Sequence, residues 1–270
     1  MVAQDDASLT RTTFPPLHES NPLPSEQIYE TLFVRQLFNE MSATYGTVNL
    51  ISSFGFCRRW RRQCLAQLSM PKSSTVIDLM TGMGELCPGV EARIGPGGKI
   101  VAVDNSPVMC HKARENHDGR LTCELEIREE DALCSQVPDA SADVVLSSFG
   151  LKTFSSEQTT RLAHEVHRIL KPGGTFSFIE ISVPPSRWLR TPYLFYLNKL
   201  IPVIGRILMG NPDNYRMLGV YTVAFGNCGS AVTAFQAAGL NTSLRSYFWG
   251  CATGLVGEKP NPSRAATSQT

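Results

Sequence analysis

The chain has 270 residues, 42% of them apolar and 18% charged, enough to bury the core of one α/β domain with additional helices. Its formal net charge of +1 leaves no basic excess for a nucleic-acid or other polyanionic partner. Eight cysteines form no C-x-x-C and no Cys/His set with zinc spacing, so no metal site is expected and the thiols read as reduced, in a cytoplasmic chain.

Residues 1–28 are rich in proline, serine and charge and have no apolar periodicity, which reads as a disordered lead-in. They lack the basic start and apolar stretch of a signal peptide. The tail, 259–270, has a similar composition, and one domain is expected between, over 29–258. No run approaches the ~20 apolar residues of a membrane span. Over 29–70 the pattern is helical, with Leu32, Val34, Leu37, Phe38 and Met41 on one face. A break near Gly46 is followed by Phe54, Gly55 and CRRWRRQCLAQL. Its arginines, 58, 59, 61 and 62, read as the solvated face of a helix, with an anionic lipid surface or a carboxylate as the alternative ligand.

The stretch 75–104 organises the rest. An apolar run ends in Asp78 and Leu79, glycines 82 and 84 make a turn, and a second apolar run ends in Asp104. Strand, glycine turn, helix, strand and acid make a nucleotide-binding unit. The glycines let the backbone take positive φ and a ligand approach closely. The acid ending the second strand can accept both hydroxyls of a ribose. The third glycine of the dinucleotide fingerprint is missing. Asp78 ahead of the turn and Asp104 twenty residues behind it point instead to S-adenosylmethionine.

Downstream, Ser106 and Pro107 start a helix, 121–127 reads as a third strand reaching Asp131 and Ala132, and 142–148 as a fourth. Ser155 and Gln158 form a capping-box pattern. His164 and His167 on that helix have no third ligand nearby and read as a solvated face. LKPGG then turns the chain into a fifth strand. A helix near 230–238 and strands at 241–249 and 251–256 complete the pattern.

In this order, VIDLMTGMGE, AVDNSPVM, SSFGLK and ILKPGGTFSFIEIS resemble the class I S-adenosylmethionine-dependent methyltransferases. More narrowly, the chain is similar to the UbiE/MenG family, which C-methylates the quinol rings of ubiquinone and menaquinone precursors. FNEMSATYGTVNLISSFGFCRRW resembles that family's N-terminal signature, and 193–221 its segment after the fifth strand, so the resemblance covers about residues 33–258. It implies a Rossmann-like, seven-stranded, mostly parallel sheet with helices on both faces, an N-terminal helical cover, an acceptor-side insertion at 183–228 and a reversed final hairpin.

The resemblance also implies S-adenosyl-L-methionine as cofactor. Its site would be made by Asp78, Gly82, Met83, Gly84, Asp104, Asn105, Asp131, Ala132 and Ser148, with Asp131 and Ala132 at the adenine edge. Met83 stands where the family has threonine, Glu85 where it has aspartate, Lys152-Thr153 where it has Arg-Asn, and Tyr45-Gly46 where it has Tyr-Asp. On the acceptor side, Lys152 and Tyr45 are the expected catalytic residues, Lys152 as electrostatic partner or base. The aromatic and aliphatic stretch 188–221, with Phe38 and Phe54, suits a small lipophilic acceptor: a polyketide, phenol, terpenoid or quinol. Methyl transfer to carbon is expected through the family. O-methylation, a cofactor-retaining cyclase or rearrangement enzyme, and an inactive cofactor-binding partner are the alternatives. Peripheral membrane contact and a homodimer are compatible with this reading.

Overall fold

The computed structural model describes residues 27–42, 53–203, 206 and 212–262. The expected lead-in up to residue 26, the tail from residue 263, and Tyr45 with Gly46 lie outside the described residues.

A seven-stranded sheet forms the centre, from β1 (Thr75–Leu79), β2 (Lys99–Asp104), β3 (Glu124–Glu129), β4 (Ala142–Ser148), β5 (Leu170–Ile181), β6 (Asn241–Tyr247) and β7 (Ala252–Glu258). Their order is β3-β2-β1-β4-β5-β7-β6. The first five strands run parallel, and β7 is antiparallel to both β5 and β6, the expected reversed hairpin. Strand β3 starts three residues later than the sequence pattern places it. Strand β6 stops at Tyr247 because Phe248 and Trp249 take left-handed backbone, φ 46 and 52.

The helices are α1 (Thr31–Met41), α2 (Phe56–Ala66), α3 (Cys87–Ile94), α4 (Pro107–His117), α5 (Ser156–Ile169), α6 (Arg187–Phe195), α7 (Pro212–Phe225) and α8 (Gly229–Ala237). Ser106 caps α4 by accepting from the Met109 N–H, and Ser155 with Gln158 closes the capping box of α5. The central strands β1, β2 and β4 are apolar on both faces because both are covered, whereas the edge strands β3 and β6 are more polar and more exposed. Ile77, Val101 and Val145 pack with Leu162 and Val166 of α5 and Phe235 of α8. On the other face Val76, Ile100 and Val144 meet Leu86, Val90 and Leu65. Cys123 and Cys251 are buried apolar fillers, as their contexts suggest.

A third cluster lies across the carboxyl ends of the strands. Val34, Leu37 and Met41 of α1, Cys57 and Trp60 of α2, Phe149, and Leu197, Ile201, Met217 and Tyr221 from beyond β5 pack together there. Among the described residues, no single helix is long and apolar enough to cross a membrane.

Candidate functional site

Strand order reverses between β1 and β4, and there the loops leaving the two strands part and open a crevice. The register pairs Asp78 with Ala102 on one side and with Leu146 on the other, so the ends of β1, β2 and β4 come level. Gly82 takes φ +60 and Gly84 φ +77, which bends the chain sharply off β1.

A cavity of about 660 Å³, including its open mouth, sits on these ends. Six of the expected residues line it together: Gly82, Asp104, Asn105, Asp131, Ala132 and Ser148. Asp104 accepts from the backbone N–H of Gly82 at 2.8 Å and of Ser106 at 2.9 Å, which fixes its carboxylate on the turn. Burial raises its pKa to about 6, with Glu85 adding to the rise and the two N–H bonds opposing it. Asp131 accepts from the Leu133 N–H at 2.9 Å. Val34, Phe38 and Met109 supply apolar wall, so the cavity combines flat greasy surface with carboxylates that can accept from a diol and an amine.

Other expected residues are not in these walls. Asp78 is buried, bonds Thr81 Oγ1 at 2.6 Å through one oxygen and leaves the other without a partner. Burial lifts its pKa to about 7, and it braces the turn from beneath. Gly84 packs against α4: a Cβ there would come within 2.6 Å of His117, whose Nε2 lies 2.9 Å from the Gly84 carbonyl. The Met83 carbonyl accepts from Asn116. Tyr45 lies outside the described residues.

Lys152 corrects the expectation of an acceptor-facing ammonium. It is buried, and its Nζ donates to the Phe149 carbonyl at 2.7 Å and to Glu180 Oε1 at 2.9 Å. It lines neither this cavity nor the neighbouring apolar one walled by Trp60 and Tyr193. Its neighbour Thr153 lines the first cavity instead.

Arg61 is the residue that sequence reasoning misplaced. Its side chain is 12% exposed rather than solvated, and Nη2 meets Glu85 Oε1 at 2.8 Å. Nε lies 3.3 Å from Ser148 Oγ, and the guanidinium sits 5.2 Å from the Phe149 ring centre. A signal for this existed: Cys57, Trp60, Arg61, Cys64 and Leu65 fall on one helical stripe, and the other four are buried. Thr81 and Phe149 are further wall residues that the sequence reading left out.

A second cavity, about 740 Å³ with its mouth, is walled by Phe54, Phe56, Trp60, Tyr193, Tyr196 and Leu197 among others, with no charged side chain among its described walls. Trp60 belongs to this cavity and Phe149 to the first. Their rings meet edge-on with centres 6.4 Å apart, so the walls of the two spaces touch at this pair.

Residues 25–257 match the ubiE/COQ5 methyltransferase family. The chain belongs to that family. This methyltransferase is 31% identical over 225 residues to a demethylmenaquinone methyltransferase of Thermus thermophilus, covering 83% of this chain and all of the relative. It is 30% identical to a ubiquinone/menaquinone biosynthesis C-methyltransferase UbiE of Pseudoalteromonas translucida over 68% of this chain and 73% of that one. A SAM-dependent methyltransferase from Aquifex aeolicus shares the fold, with TM-score 0.52, 17% identity and coverage of 74% and 89% of the two chains. The cofactor of this methyltransferase is S-adenosylmethionine.

Proposed function

We propose that this methyltransferase alkylates a ring carbon of a lipophilic quinol or related phenol held in the apolar cavity. The observation that carries the reading is that cavity, which adjoins the polar one where Trp60 of its wall meets Phe149 of the other. The relatives named for demethylmenaquinone and for ubiquinone/menaquinone biosynthesis supply the acceptor class.

In the polar cavity, Asp104 would accept the ribose hydroxyls. Asp131 and the Ala132 N–H would read the adenine edge, and Ser148 with the Gly82 turn would face the methionine half. When bound, the cofactor supplies a methyl group carried on a positively charged sulfur. The residues of the apolar cavity exclude water and orient the acceptor ring, whose carbon must come within about 3–3.5 Å of that methyl. Its described walls hold no charged side chain, so the phenol and ring protons given up on methylation would pass to a hydroxyl or thiol of the wall, such as Tyr196, or to water. Trp60 and Phe149 must part for the ring to reach the methyl. The Phe149 backbone is held by the Ile179 carbonyl and by Lys152 Nζ, so the parting would come from rotation of the side chains.

The rim of the apolar cavity supports a peripheral membrane contact through which such an acceptor would enter. Phe54 and Phe248 are wall residues that are 80% and 41% exposed, and Trp249, 74% exposed, stacks 4.9 Å from Phe248. Segments 53–67 and 183–211 carry no carboxylate, and Arg58, Arg59, Arg62, Arg187, Lys199 and Arg206 within them are exposed, whereas Arg61 is held by Glu85 in the polar cavity. Exposed aromatic rings together with cation-rich segments suit an anionic lipid interface.

The test is incubation with S-adenosylmethionine and a short-chain demethylated quinol kept reduced, followed by mass and proton spectra of the product. A gain of one methyl with loss of a ring proton is expected. A methyl gain with every ring proton kept would mean O-methylation, and an isomer of unchanged mass would mean cyclisation or rearrangement.

A further inference from the structure

The polar cavity is charged unevenly. Glu85, Asp104 and Asp131 bring three carboxylates to its walls, and among the described wall residues Arg61 is the one cation. S-adenosylmethionine presents a sulfonium, an ammonium and hydroxyl donors, all suited to carboxylates, together with one carboxylate that is not. A carboxylate entering a half-buried site lined by acids needs a fixed positive partner, or it forfeits its hydration without return.

We infer that Arg61 is the seat of the cofactor's α-carboxylate. The guanidinium stands between Glu85, which follows the glycine turn, and Ser148 at the end of β4, and so spans the mouths of the two central strands. The Phe149 ring lies against it, which restricts its rotation. Its described bonds, from Nε and from Nη2, use two of five N–H groups, leaving donors for a forked grip on a carboxylate. Glu85 acts as a positioning residue: it balances the buried cation and holds the fork in the cavity until the ligand carboxylate takes up the remaining donors. The assignment rests on the cofactor reading of this cavity and adds the subsite for its amino-acid end.

The competing role for Arg61 is structural, tying α2 to the sheet through Glu85 and Ser148. Calorimetry with two ligands separates the roles. S-adenosylhomocysteine carries the α-carboxylate, and 5′-methylthioadenosine keeps the nucleoside thioether without the amino acid. Arg61→Gln is expected to weaken S-adenosylhomocysteine by at least about tenfold and to change 5′-methylthioadenosine by less than about twofold. Arg61→Lys, a milder change that keeps the charge without the fork, is expected to show the same selectivity with a smaller loss. Binding of 5′-methylthioadenosine by the wild type shows that the nucleoside cradle is formed, so failure of this assignment is distinct from failure of the cofactor site. Equal losses for both ligands in both variants, or no loss for either, would overturn it.

Discussion

Lys152 and Glu180 form an ion pair inside the protein: Nζ lies 2.9 Å from Oε1, and the two side chains are 4% and 0% exposed. Glu180 also accepts the backbone N–H groups of Lys152 and Ile181, at 3.1 and 2.7 Å. The pair therefore pins the turn after β4 to the end of β5. Removing one partner leaves a buried charge alone, which costs about 3–5 kcal/mol, whereas replacing both removes most of that cost. Lys152→Met should lower unfolding stability by about that amount in urea titration. Adding Glu180→Gln should restore the larger part. A Lys152→Met protein of wild-type stability but collapsed turnover would return the lysine to the acceptor site.

Cofactor affinity should depend on pH through Asp104, whose pKa is raised to about 6. A raised carboxyl pKa means that the free folded protein holds the proton more tightly than the unfolded chain. Its stabilising share is thus lost as pH rises through 6. Ligand binding runs the other way, because accepting two hydroxyls requires the carboxylate. Affinity for S-adenosylhomocysteine should rise between about pH 5 and pH 7, by up to about tenfold per unit, and then level. Asp104→Asn should weaken binding at least about tenfold at neutral pH and flatten this rise. Asp78, with a pKa near 7, should leave a residual slope. A variant with unchanged affinity and the same pH curve would remove Asp104 from the ribose.

Met83 offers its carbonyl to Asn116 and is not a wall residue of the polar cavity. Met83→Thr should therefore leave S-adenosylhomocysteine affinity within about twofold by calorimetry. A loss well beyond that would mean that the glycine turn closes over the ligand and carries the thioether with it.

The basic aromatic rim gives a surface prediction. The protein should sediment with vesicles containing phosphatidylglycerol, weakly or not at all with phosphatidylcholine alone, and be released by salt. Arg58→Glu with Arg59→Glu, two exposed positions, should abolish anionic preference, and Trp249→Ala should weaken binding without changing salt dependence. Equal sedimentation of the charge-reversed protein would assign the rim to another partner, such as a second copy of the chain.

The sequence by itself determined the strands, the glycine turn and Asp104, because each is written in neighbouring residues. Apolar runs ending in acids make buried parallel strands, and glycines one residue apart favour a turn with positive φ, at Gly84 one where a Cβ would also meet His117. Capping of α4 and α5 was legible for the same reason, since a cap and its partner lie within one helical turn. The tertiary structure decided which side chains turn into the cavity. Residues 151–153 form a single 3₁₀ turn, in which successive side chains diverge by about 120°. Lys152 consequently meets Glu180, twenty-eight residues away on β5, while Thr153 takes the wall position. Arg61 reads in the sequence as one of four solvated arginines, but α2 packs against β4 and β5, with Cys64 on Ser147 and Ser177. Only that packing brought Glu85 and Ser148, from two other parts of the chain, within reach of one guanidinium.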